Sequence, residues 1–112
     1  MMERRLFLLQ RLSAMLLLPL VCIHLLLILY AARQGITAEQ ILARTSGSVF
    51  WALSYGLFAF LVAVHAPIGL RNVMFEWLSW PKPIINKISI ALFLLFLVLG
   101  LRSVAAVIAP GI

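Results

Sequence analysis

The sequence predicts an all-α integral membrane fold with three transmembrane helices, and three observations predict it. Apolar runs without a formal charge extend over 12–32 and 45–70, and a third over 88–109 is broken only by Arg102. Each reaches the ~20 residues that a helix needs to cross the hydrocarbon core. The charged residues, 11% of the chain, gather between these runs at 3–5, 33–44 and 71–87, as expected where a charge at the bilayer centre costs several kcal/mol. With 65% hydrophobic residues and a mean hydropathy of +1.17, the 112 residues also hold too little polar surface to cover a water-soluble domain. Strands are excluded as spans, because the runs are continuous rather than alternating and three strands cannot close a barrel.

Taken in order, the helices are expected at about 10–32, 47–79 and 84–109 of a single transmembrane domain, 1–112. Arg4, Arg5 and Arg11 precede the first. Its apolar stretch is longer than a secretory signal allows, so it is read as a retained helix. Gly35 and the 37–39 stretch form a short loop with room for a helical turn. Ser46-Gly47-Ser48 then opens the second helix with a serine cap. That helix continues beyond its apolar core, since 71–80 contains neither glycine nor proline. Pro81 and Pro83 end it and restrict the turn into the third, which Pro110-Gly111 closes. No repeat or soluble domain is visible. The single cysteine, Cys22, lies mid-helix as a small packing residue and cannot form an intrachain disulfide.

The net charge of +6 is a topology signal and not a nucleic-acid footprint. Arg4, Arg5, Arg11, Arg71, Lys82 and Lys87 fall to one side, and Arg33, Arg44 and Arg102 to the other. The positive-inside rule then places the N-terminus and the second loop in the cytoplasm. Trp77 and Trp80 suit the inner interface, Tyr30 and Trp51 the outer.

Polar groups inside the runs carry the candidate chemistry. Phe58, Val62, His65, Gly69, Asn72 and Glu76 share one stripe of the second helix by helical spacing. A histidine within the membrane needs a partner, so this stripe is expected to face inward. Two readings of His65 stay open: an axial ligand of haem iron, with Gly69 clearing space for a flat macrocycle, or a hydrogen bond to another helix. His24 presents the same choice, with packing favoured. It stands ~18 Å from the inner side and His65 ~9 Å, at 1.5 Å per residue. Depths so different make the two poor candidates for gripping one iron. Gln10, Arg11, Ser13, Arg71, Asn72, Glu76 and Trp77 collect at the inner interface, where they form either a quinone-holding group or an ordinary headgroup belt. Arg102, in the outer half of the third helix, snorkels outward or meets a haem propionate.

Gln10-Arg11-Leu12-Ser13 at the first helix, His65-Ala66-Pro67-Ile68-Gly69-Leu70-Arg71 in the second, and then Glu76-Trp77 resemble the cytochrome b membrane-anchor subunits of succinate dehydrogenase and fumarate reductase (respiratory complex II). The likeness covers nearly the whole chain. It implies that His65 ligates haem b, the other axial ligand coming from a partner anchor. Arg11 and Ser13 match the arginine and serine near the quinone and the haem propionates, and Arg71 belongs to the same vicinity. Glu76 stands where the family has an aspartate, and Trp77 where one anchor type has a quinone-bonding tyrosine, whose phenolic oxygen an indole lacks. Asn72 replaces a second histidine. His24 resembles the first-helix histidine of the two-haem anchors, usually one longer chain with five helices, which makes a second, shared haem a split version of that arrangement.

The resemblance implies a non-dehydrogenase anchor subunit of succinate:quinone oxidoreductase in the inner (cytoplasmic) membrane. Its expected partners are a flavoprotein subunit, an iron–sulfur subunit and a second membrane anchor, with quinone as substrate and haem b, one or two, as cofactor. The chain has neither a glycine-rich dinucleotide loop nor a cysteine cluster, so flavin and iron–sulfur centres belong to those partners. Two alternatives stand beside this reading: a haem-binding anchor of another respiratory enzyme, and a cofactor-free small transporter. The transporter is disfavoured because Glu3, Glu39 and Glu76 all lie at ends, in a loop or at an interface.

Overall fold

The computed structural model describes residues 2–111. Four helices follow one another: α1 (Met2–Gln34), α2 (Ala38–Thr45), α3 (Val49–Trp77) and α4 (Lys82–Ile108). Three of them, α1, α3 and α4, are long and apolar enough to cross a membrane, and no strand occurs among the described residues. The molecule measures 49 × 28 × 22 Å, and its long dimension matches a bilayer with its headgroups, ~40–45 Å.

The middle helix of the three spans is α3, which packs against α1 and more extensively against α4. On α1 the residues that escape full exposure are Leu6, Gln10, Ser13, Leu17, Leu20, His24, Leu27 and Ala31. They alternate in steps of four and three, the 3.5-residue repeat by which one helix keeps a single seam against a neighbour. Every other described position of α1 is exposed. The contact of α3 with α4 is tight at Gly100, where an added Cβ would stand 2.9 Å from the Ala59 Cβ. Small residues at such a crossing let two backbones approach, which is the main source of helix association in lipid.

The structure changes several element boundaries. The first helix begins at Met2, well before the expected residue 10. Residues 2–9 contain no breaker, and Glu3 in the first turn favours the positive end of the helix dipole. The expected loop holds the complete helix α2. Thr37 caps it through a reciprocal pair, Gln40 N–H to Thr37 Oγ1 (3.2 Å) and Thr37 N–H to Gln40 Oε1 (2.8 Å). Gly35, at φ +64°, closes α1 by sending its own N–H to Ala32 O and the Ile36 N–H to Ala31 O. The third helix ends at Trp77, short of 79, and α4 opens at Lys82 behind Pro81. Pro83 therefore lies in the first turn of α4 and not in the connection, at a site where its missing N–H has no intrahelical acceptor to lose. Ser48 caps α3, its hydroxyl accepting from the Trp51 N–H at 3.3 Å.

The C-terminal end of α4 is tied to the α2–α3 corner. Thr45, fully buried, donates from Oγ1 to Val107 O (2.7 Å), and the Gly47 N–H reaches Ile108 O (2.8 Å). These two bonds satisfy carbonyls that the helix terminus would otherwise leave without a partner.

Candidate functional site

Phe58, His65 and Gly69 of the predicted stripe of α3 face α1, while Val62, Asn72 and Glu76 are exposed. Phe58 meets the His24 ring edge-on at 5.3 Å, His65 meets Ser13, and Gly69 lies against Gln10. Asn72 and Glu76 share a shallow groove with Glu3, Phe75 and Lys82. The inward-facing histidine is thus partnered by α1, as the cost of a polar group in lipid requires.

His65 is half-buried, and its Nδ1 is 3.2 Å from the Ser13 hydroxyl. Ser13 is itself buried and donates to Gln10 O at 3.1 Å, which uses its one proton. With that proton on Gln10 O, the hydroxyl oxygen is an acceptor toward the ring, an arrangement that suits the tautomer with the proton on Nδ1. In that tautomer Nε2, which makes no hydrogen bond among the described residues, would keep its lone pair. A histidine whose Nδ1–H is held by an acceptor presents Nε2 as a metal ligand. One expectation changes here. The space beside Gly69 is filled by the Gln10 amide, whose nitrogen lies 3.3 Å from where a Cβ would stand. Gly69 lets α1 close on α3 and does not clear room for a macrocycle.

Arg71 is 2% exposed and engages all three long helices. Its Nη1 and Nη2 donate to Glu3 Oε2 (3.1 Å) and Oε1 (2.6 Å), and its Nε donates to Asn86 Oδ1 (2.8 Å). The guanidinium also lies 4.6 Å from the centre of the Phe75 ring. Lys82 Nζ approaches the same carboxylate, 3.3 Å from Oε1. Arg11 is exposed on α1, next to Gln10 and 5.6 Å from the Phe7 ring centre. Glu76 is exposed, and Trp77 is 80% exposed at the end of α3. The structure therefore brings Ser13 to His65 and draws Arg71 into an ion pair, while Arg11, Glu76 and Trp77 stay on the surface.

His24 sits at the other end of the seam, eleven residues after Ser13 and so ~16 Å further along α1. It lines a cavity of about 620 Å³ between α1, α2, α3 and α4, together with Arg44, Tyr55, Ala59, Phe96 and Gly100. Its Nδ1 is buried without a hydrogen-bond partner, and its ring lies edge-on to Tyr55 (6.1 Å) and Phe58 (5.3 Å). An unpartnered buried nitrogen against an apolar hollow is an uncommon arrangement, because the desolvated atom gains nothing in return. Arg44, not singled out from the sequence, stands at this cavity with its guanidinium 4.4 Å from the Trp51 ring centre, and Trp51 in turn stacks on Tyr55. Its signal was there: a cation four residues before a serine cap and seven before an interfacial tryptophan. Arg102 is exposed on α4 and Cys22 on α1. No group of three His, Cys, Asp or Glu side chains able to hold a bare metal ion occurs among the described residues.

The model of one protein family, described as the succinate dehydrogenase/fumarate reductase transmembrane subunit, matches residues 3–104. No curated protein and no solved structure matches the chain significantly.

Proposed function

Because the chain belongs to the family of succinate dehydrogenase/fumarate reductase transmembrane subunits, we propose that it is a haem-ligating anchor that helps form the quinone site of that complex. The three spans hold it in the membrane, and its partners there are the other subunits of the complex. In this reading the end carrying Glu3, Arg71 and Lys82 faces the cytoplasm, where flavoprotein and iron–sulfur subunits dock, and a second anchor packs on the exposed apolar faces. The observation that supports the cofactor is the Ser13–His65 contact, which leaves Nε2 as the ligating atom. A haem b held there would supply a one-electron Fe(III)/Fe(II) centre. Of the residues present, His65 would hold such a group from this chain, and a partner anchor would supply the remaining ligand. Arg11, Glu76 and Trp77, exposed at the same end, are the groups available to a quinone and to haem propionates. The direct test is purification of the complex through a tag on this chain. Flavin, iron–sulfur and dithionite-reduced b-type absorption together are expected; a colourless preparation with its partners present would sink the haem.

A second haem is favoured by one observation, the cavity of about 620 Å³ that His24 lines beside Arg44. His24 would serve it from α1 while Arg44 supplies a cation at the rim. Pyridine haemochrome per complex is then expected to give two haems, falling to one in His24→Ala. An unchanged count in that variant rejects the second haem and leaves the first untouched.

A further inference from the structure

Between Ser13 and the end of its seam, α1 presents Leu17, Leu20, His24, Leu27 and Ala31 to α3, with Leu6 on the other side of Ser13. Leucines are interchangeable in such a seam. In lipid no hydrophobic force favours one register over another. A slide of α1 by one seam step, three or four residues or ~5 Å, would keep leucine at one of the three leucine positions beyond Ser13 and set Ser13, His24 or Ala31 at the others. It would also put Gln10 or Leu17 opposite His65 in place of Ser13. Polar contacts alone can tell these registers apart, which is the best-attested use of a polar group buried in a helix seam.

We propose that Glu3 is a positioning residue whose ion pair with Arg71 locks α1 in the register that sets Ser13 against His65. Glu3 extends the α1 seam by one step below Leu6, and it meets a guanidinium that is 2% exposed. A buried cation demands a counter-charge, and the bidentate geometry fixes where that carboxylate stands. Asn86 holds Nε from α4, so the guanidinium itself cannot follow a sliding α1. One point therefore ties α1, α3 and α4, ten residues along α1 from the Ser13 hydroxyl. The register claim concerns this chain alone; its effect on a haem rests on the reading of His65 given above.

The test uses the assembled complex in lipid nanodiscs, with Cys22→Ala and spin labels at Arg5 and Val73, both exposed. In Glu3→Gln the inter-label distance is expected to spread or shift by about 5 Å, one helical step, and the low-spin haem signal to split into more than one form. Glu3→Asp, which keeps the charge, is expected to retain the wild-type distance. The swap Glu3→Arg with Arg71→Glu is expected to restore the distance, since the Asn86 amide can turn to donate to the new carboxylate. An unchanged distance in Glu3→Gln overturns the lock. If Glu3→Gln assembles poorly, a swap that restores neither yield nor distance overturns it equally. A shifted distance in a complex that carries no haem upholds the lock and overturns the reading of His65.

Discussion

The Ser13 hydroxyl, which donates to Gln10 O and stands 3.2 Å from His65 Nδ1, is placed to hold Nδ1–H and leave Nε2 available. Ser13→Ala removes that acceptor, and the ring is free to change tautomer and to turn. Loss of such an outer-shell partner costs about 10–100-fold in metal affinity, so haem retention on dilution or mild detergent washing is expected to fall by about that factor. Ser13→Thr keeps the hydroxyl and is expected to retain haem as the wild type does; equal loss in both variants would mean the hydroxyl plays no part. The histidines were legible from the sequence because each is a polar residue in an apolar run, and His65, Gly69 and Glu76 fell on one stripe. What the stripe faces was not legible. Periodicity gives a face but not its neighbour, so Gln10 filling the space beside Gly69 emerged only from the packing. Glu3 escaped notice for a related reason. A carboxylate in a terminal turn reads as a dipole partner, and its ion pair with Arg71 spans 68 positions of sequence.

At the scale of elements, the α3–α4 crossing is the most constrained contact. An added Cβ at Gly100 meets Ala59 Cβ at 2.9 Å, and both backbones are helical. Gly100→Val is therefore expected to force the helices apart at a cost of about 1–3 kcal/mol, the range for overpacking. The check is a lower midpoint in detergent-titrated or thermal unfolding of the complex, with partial recovery when Ala59→Gly is added. A wild-type midpoint would show that this crossing is looser than described. The three long helices were readable from hydropathy alone, because the bilayer demands one long apolar run per span. Their ends were less so. Thr37 and Gln40 carry the spacing of a reciprocal cap, yet eight residues between two apolar runs read more simply as a loop than as α2. The Thr45–Val107 bond that docks this helix joins positions 62 apart and leaves no local trace.

For the whole molecule, the charges divide as the structure does. Glu3, Arg71, Lys82 and Asn86 meet at one end, while Arg44, Thr45 and the end of α4 meet at the other. Two polar groups thus lie on one seam at different depths: His65 with its serine toward the first end, and His24 with its cavity toward the second. Few residues of the long helices are buried within the chain, and leucine, isoleucine, valine and phenylalanine cover most of its surface. Such a surface needs lipid or protein on every side, which accords with a subunit of a larger membrane complex. The central claim is that His65 supplies the axial ligand in that complex. It is tested most directly by the reduced-minus-oxidised visible spectrum of the intact complex carrying His65→Ala beside the wild type, at equal content of this chain. The expected result is b-type absorption in the wild type and loss of one haem's worth in the variant, with all subunits still present. Full b-type absorption in an assembled His65→Ala complex would contradict it.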